Sequence, residues 1–183
     1  MRKVFLFMMV SLDGYFEGPN HDLSWHNVDE EFNDFAIAQT DKVSTLLFGR
    51  RTYELMASYW PTELAEDDPI VAKQMNATAK IVFSHTLDKA DWQNTTLVKD
   101  NAAEVVRKLK AETGNDIGIY GSNKLCVNLM RDNLVDEFRI MINPVAIGDG
   151  TPLFKGIEKQ VGLKFVGSKA FENGNVLLTY RLP

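Results

Sequence analysis

Cysteine is nearly absent: Cys126 is the only one in 183 residues. An internal disulfide framework and any multi-cysteine zinc or iron–sulfur site are therefore excluded. Basic residues are in deficit, 20 Lys and Arg against 25 Asp and Glu, for a formal charge of −5. That balance argues against generic binding to nucleic acid or an anionic membrane, because both depend on basic patches that replace counterions. A local basic pocket for a small anion stays open. Long apolar runs are also missing. Val4–Val10 follows Arg2 and Lys3 as a signal-peptide core would, but Ser11-Leu12-Asp13-Gly14 stands where a small-residue cleavage site belongs. The run is far short of the about 20 residues that span a bilayer. A buried strand in a soluble, cytoplasmic protein is the expectation. There are no repeats, low-complexity tracts or Pro/Gly/Ser linkers, and the six prolines stand singly, so residues 1–183 read as one domain. The chain contains no GxGxxG, Walker A, GxSxG or HExxH motif. A Rossmann dinucleotide fold, a P-loop enzyme, a serine hydrolase and a zinc hydrolase are each left without support. His21, His26 and His85 are not at metal-ligand spacing, so no metal is expected.

What is present is an alternation of strand and helix. Val4–Val10 is continuously apolar, as a strand buried on both faces must be. Asp29–Gln39 has Phe32, Phe35 and Ala36 at helical spacing, with acids in its first turn. Thr45–Phe48, Lys80–Phe83, Ile117–Tyr120 and Glu137–Ile142 read as further strands. Thr52–Tyr59, Pro69–Met75 and the segment after Gly121 read as helices. Ala102–Ala111 is the clearest amphipathic helix, with Val105, Val106 and Leu109 on one face and Arg107, Lys108 and Lys110 on the other. After Pro144 the pattern changes. Leu163–Val166 and Val176–Leu182 flank Asn173-Gly174, a hairpin turn signal, so the end of the chain reads as antiparallel. The alternation implies a mostly parallel sheet with crossover helices, and ligands of such sheets bind at the carboxyl ends of the strands.

The residues just after each strand are therefore the site candidates. Asp13, after the first strand, is either a substrate-side carboxylate or a turn cap beside Gly14. Gly49-Arg50-Arg51-Thr52 combines a close backbone approach, two forked donors and a hydroxyl at a helix entrance, which suits phosphate; the alternative is a solvated helix start. Ser84 and His85 can reach a ribose or its phosphate, or simply close a turn. Gly121-Ser122-Asn123-Lys124-Leu125 again enters a helix through small residues. Trp25, in the loop after the first strand, can wall a pocket. Cys126, between Leu125 and Val127, reads as packing rather than as a nucleophile.

Taken in order, Ser11-Leu12-Asp13-Gly14, Leu46-Leu47-Phe48-Gly49-Arg50-Arg51-Thr52-Tyr53-Glu54, Lys80-Ile81-Val82-Phe83-Ser84, Ile119-Tyr120-Gly121-Ser122-Asn123-Lys124-Leu125, Leu134-Val135-Asp136-Glu137 and the run from Asn143 to Phe154 form a set. The set resembles the dihydrofolate-reductase-like superfamily, and within it the stand-alone relatives of the reductase domain of the bifunctional riboflavin-biosynthesis deaminase–reductase. The resemblance spans Lys3 to Tyr180. It implies an α/β three-layer fold, with a central, mostly parallel sheet, helices on both faces and an antiparallel C-terminal strand pair. It also implies NADPH as hydride donor, with NADH not excluded, a homodimer, and a small heterocyclic substrate, nominally 5-amino-6-(5-phosphoribosylamino)uracil. Carried over by position, Gly49, Arg50, Arg51 and Thr52 would hold the cofactor phosphates. Ser84 and His85 would approach the adenosine ribose phosphate, and Gly121, Ser122, Asn123, Lys124 and Leu125 would line the pyrophosphate and nicotinamide. Asp13 would be the substrate-side polar group, with Tyr15, Trp25, Glu30 and Asp34 around the substrate. The chain departs from the superfamily where Gly121-Ser122 replaces a frequent Gly-Gly, and no deaminase zinc signature is present. Dihydrofolate reduction and a non-catalytic nucleotide- or flavin-binding dimer are the alternative functions.

Overall fold

The computed structural model describes all 183 residues. The chain forms β1 (Val4–Ser11), β2 (Tyr15–Glu17), α1 (Glu30–Thr40), β3 (Val43–Gly49), α2 (Arg50–Ala57), α3 (Pro69–Ala77), β4 (Ala79–Phe83), β5 (Thr95–Val98), α4 (Ala102–Ala111), β6 (Asp116–Tyr120), α5 (Asn123–Arg131), β7 (Glu137–Asn143), β8 (Thr151–Pro152), β9 (Lys164–Ala170) and β10 (Val176–Arg181). Local chemistry sets several of these boundaries. Asp29 caps α1 by accepting the Phe32 N–H at 2.9 Å, with Glu30 and Glu31 in the first turn where the helix dipole favours acids. Pro69 opens α3, where its missing N–H costs nothing.

Eight strands form one sheet in the order β5-β4-β3-β6-β1-β7-β10-β9. The first six of that order are mutually parallel. β10 runs antiparallel to β7, and β9 antiparallel to β10. The small ribbon β2–β8 lies outside this sheet. Strand β1 sits at the centre, and its two-residue period sends alternate side chains to opposite layers. Val4, Leu6, Met8 and Val10 join Val106 of α4 and Leu125, Cys126, Leu129 and Met130 of α5 in one core. On the other face Phe5 packs with Tyr53 of α2 and with Val71 and Met75 of α3, while Met9 packs with Phe32 of α1. The fold is the dihydrofolate-reductase-like three-layer arrangement that the resemblance implies. No helix is long and apolar enough to cross a membrane.

The sequence pattern missed two features at the sheet edges. β5 is only four residues long, none of them fully buried. β9 extends to Ala170, beyond the expected Val166, and is exposed on both faces save for half-buried Gly167. Edge strands bury too little to carry a periodic apolar signal. Helix α2 also starts at Arg50 rather than Thr52.

Candidate functional site

Strands β3 and β6 are neighbours, yet the chain leaves them in opposite directions. β3 continues to β4, on one side, whereas β6 continues to β7, beyond β1 on the other. The helices that follow, α2 and α5, pack on opposite faces of the sheet. This is the topological switch point, where a crevice opens at the carboxyl ends of the strands and ligands bind.

Two side-chain contacts hold the crevice in shape. The Gly49 N–H donates to Ser122 Oγ at 2.8 Å, tying the end of β3 to the end of β6. Gly121 lies against Thr52: a Cβ on Gly121 would sit 3.0 Å from Thr52 Cγ2, and its φ of +74° is a conformation natural to glycine. Ser122 follows in the left-handed region as well, at φ 64°, ψ 60°.

Gly49, Arg50, Arg51, Thr52, Ser84, His85, Ser122, Asn123, Lys124 and Leu125 line a single cavity of about 670 Å³. That volume is ordinary for a small-molecule site. From β5 across β4 and β3 to β6 the cavity crosses three inter-strand spacings, about 14 Å, room for an extended ligand. The N-termini of α2, α4 and α5 all reach it, and none has a side-chain cap. Their first-turn N–H groups are unsatisfied by side chains and carry the positive end of the helix dipole, so they suit anions. Asn123 is only 8 % exposed, yet its amide bonds to no protein group. Ser84 Oγ accepts from the Thr86 and Leu87 N–H groups, closing the turn after β4, and keeps its own proton to donate. A larger open depression of about 900 Å³ lies beyond Arg50 against Tyr53 and Trp92. It includes neither Gly49 nor Ser122 and has no comparable set of anion donors.

The cavity also contains residues that strand-end reasoning missed. Glu17 of β2 lines it with its side chain only 11 % exposed. Thr151 donates to Glu17 Oε1 at 2.7 Å, His21 Nδ1 lies 3.0 Å from Oε2, and Arg51 approaches Oε2 at 3.7 Å while resting against the His21 ring. Phe16, Lys99, Asp100 and Asn101 line it too. The last three follow β5, so recognising that strand would have found them by the same rule. Arg50 is held by Glu54 and Thr86, each at 2.8 Å. His85 Nδ1 lies 3.2 Å from Asp100. Lys99 donates to the Leu87 carbonyl. Lys124 has no ion-pair or hydrogen-bond partner.

The residues expected around the substrate do not join this cavity. Asp13 spends its carboxylate on the Ile147 and Gly148 N–H groups, at 3.2 and 2.7 Å, pinning the turn after β1 to the loop after β7. The Ser11 hydroxyl and those amides hold its carboxyl below the usual range. This is the turn-cap alternative, completed by Gly14 at φ +89°. Tyr15 pairs with Pro152 in the outer ribbon. Trp25 donates to the Asp22 carbonyl and meets His26 edge-on. Glu30 and Asp34 point into solvent on α1. Cys126 is packed, as expected, and burial pushes its thiol up to about 12, too high for a nucleophile. No cluster of side chains suits a metal ion.

Comparison with known proteins bears on the fold and the family. The uncharacterized protein YyaP of Bacillus subtilis strain 168 is 35 % identical over 185 residues, covering 98 % of this chain and 94 % of that protein. The diaminohydroxyphosphoribosylaminopyrimidine deaminase/5-amino-6-(5-phosphoribosylamino)uracil reductase of Thermotoga maritima superposes with a TM-score of 0.72 at 14 % identity, over all of this chain and 57 % of that one. Dihydrofolate reductase from Enterococcus faecalis, solved with NADP(H) and RAB-propyl, superposes with a TM-score of 0.65 at 16 % identity, over 98 % of this chain and 96 % of that one. At such identities the two structural likenesses are likenesses of fold. The family model is more direct: matching the RibD C-terminal domain from residue 2 to residue 177, the chain belongs to that family.

Proposed function

We propose that this protein is a nicotinamide-dinucleotide-dependent reductase of a small heterocycle, with NADPH the nominal donor and a phosphoribosylated aminopyrimidine of the 5-amino-6-(5-phosphoribosylamino)uracil type the nominal substrate. One observation carries the reading: three uncapped helix N-termini and the Arg50-Arg51 pair converge on one elongated cavity at the β3/β6 switch point. The residues present fit a dinucleotide. Free N–H groups, Arg50, Arg51 and Lys124 suit a pyrophosphate. The unpartnered Asn123 amide offers hydrogen bonds to a polar ring substituent, and Phe16 and Leu125 offer apolar wall. When bound, the cofactor supplies the hydride, and this chain supplies position and electrostatics. Arg50 and Arg51 anchor charge at the α2 entrance, and the Ser122–Gly49 bond keeps the two strand ends at a constant separation.

Titration with NADPH, followed by tryptophan fluorescence, tests this. Replacing Arg50 and Arg51 together by alanine should weaken binding by more than about 2 kcal/mol, roughly thirty-fold, since charged hydrogen bonds contribute about 1.5–3 kcal/mol each. An unchanged dissociation constant would overturn the phosphate assignment. A second reading, a nucleotide-binding protein without turnover, is favoured by the absence of Asp13, Tyr15, Trp25, Glu30 and Asp34 from the cavity lining. NADPH binding without oxidation in the presence of the aminopyrimidine, or of dihydrofolate, would select it.

A further inference from the structure

One carboxylate stands where the chemistry of the cavity argues against it. Uncapped helix N-termini and arginines suit an anion, yet Glu17 lies among them with its side chain 11 % exposed. The other two acids of the lining are surface groups with partners of their own, Glu54 on Arg50 and Asp100 on His85. Glu17 is tied in place. Thr151 donates to its Oε1 at 2.7 Å, and its Oε2 faces His21 Nδ1 at 3.0 Å and Arg51 at 3.7 Å. The turn that carries His21 is itself unusual. Asn20 and His21 both take left-handed backbone, with φ 56° and 65°, which residues bearing a side chain seldom adopt. That turn lays the imidazole against both the carboxylate and the guanidinium, while 61 % of the His21 side chain stays open to water.

We infer that Glu17 and His21 form a proton-coupled switch on Arg51: an anion that draws the guanidinium from Glu17 leaves His21 to neutralise the carboxylate, and the imidazole takes up a proton from solvent as the anion seats. The inference rests on the reading of the cleft as a dinucleotide site, with a phosphate on Arg51. Every change pushes the imidazole the same way. The departing guanidinium removes a like charge, while the carboxylate left behind and the arriving phosphate are opposite charges. Without that proton, a shielded carboxylate would face a phosphate with no cation between them, which opposes binding. The other charged groups near the turn do not replace His21. Asp22 spends its carboxylate on the Ser24 N–H and hydroxyl, and Asp149 accepts the Gly150 N–H. Lys124 of α5 lines the same cavity but forms no ion pair with Glu17. Reduction of a C=N or C=O bond consumes one proton, and the charged pair holds one at the cavity wall in exchange with water.

Isothermal titration with NADPH near pH 7.5, in buffers of high and low ionisation heat, counts the protons taken up. Wild-type protein should take up about half a proton per dinucleotide, because an imidazole beside opposite charges titrates close to that pH. Affinity should accordingly rise about three-fold for each unit that the pH falls. The 2′-phosphate of NADPH titrates in the same range, so the variants decide. His21→Gln, at an exposed position, should lose most of the uptake. Glu17→Gln still accepts the Thr151 hydroxyl and should lose the uptake too. It should also tighten NADPH about five-fold at pH 8, because a like charge leaves the anion site. Equal uptake in wild type and His21→Gln would overturn the switch, and so would a Glu17→Gln affinity at pH 8 that is unchanged or weaker. If Glu17→Gln does not fold, His21→Gln decides alone. Failure of wild-type protein to bind NADPH would instead overturn the dinucleotide reading, and this inference with it.

Discussion

Ser122 offers a sharp test of how the crevice is built. It is 9 % exposed, sits at φ 64°, and accepts the Gly49 N–H at 2.8 Å. A non-glycine residue in the left-handed region carries a cost of about 1 kcal/mol. The hydrogen bond contributes about 1 kcal/mol, and leaving the part-buried Gly49 N–H without an acceptor adds a similar amount. Ser122→Ala keeps the backbone cost and loses the bond, so it should destabilise by about 1–2 kcal/mol. Ser122→Gly loses the same bond but relieves the backbone, so it should lie about 1 kcal/mol above the alanine variant. For a chain of this size each kcal/mol shifts Tm by about 2–4 °C. The alanine variant should therefore melt about 3–6 °C below wild type, with the glycine variant in between or level. Urea unfolding followed by tryptophan fluorescence measures both. An alanine variant as stable as wild type, or a glycine variant as unstable as alanine, would refute the reasoning.

Two further perturbations address burial away from the crevice. Lys80 is 1 % exposed, donates to the carbonyls of Met75, Asn76 and Thr78 at 2.8, 3.2 and 2.6 Å, and lies 4.4 Å from the Trp92 ring centre. Lys80→Met strands carbonyls at the end of α3 and should cost about 2–4 kcal/mol; a loss below about 0.5 kcal/mol in urea unfolding would show that the ammonium does not hold that helix end. His26 is pushed down to about 4 by burial, and its Nε2 has no partner. Between about pH 6.5 and 4 the unfolded chain holds a proton that the native state refuses, so wild-type stability falls as pH drops through that window. In His26→Gln this component vanishes, and the stability difference between variant and wild type should move in favour of the variant by up to about 3 kcal/mol from pH 7 to pH 4. A difference independent of pH would contradict the buried, neutral imidazole.

The half of the candidate cavity lined by the arginines was legible because it follows a local rule. Gly49-Arg50-Arg51-Thr52 and Gly121-Ser122-Asn123-Lys124 each stand between an apolar run and a helical pattern, and parallel strands deliver such junctions to the same sheet edge. Lys99, Asp100 and Asn101 obey the same rule but follow an edge strand too short and too exposed to recognise. Glu17 obeys no strand-end rule. It enters the cavity because the β2–β8 ribbon folds over the crevice, and that ribbon depends on Thr151 and Gly150, more than 130 positions away along the chain. A Cβ on Gly150 would meet the Glu17 carbonyl at 2.2 Å, a closeness that sequence reveals only as an isolated Gly-Asp-Gly.

The charge balance shows the same division. By itself the sequence determined the α/β order, the buried central strand and the presence of arginines at one helix entrance, because apolar periodicity and strand–helix junctions act over a few residues. Only the tertiary structure decided that Asp13 caps distant amides, that Glu17 and Asp100 stand among the cavity cations, and that Glu30 and Asp34 face solvent. The partners of these carboxylates are supplied by other loops and strands. A carboxylate's role depends on which amide, cation or water the fold brings within about 3 Å of it, and sequence spacing does not encode that distance.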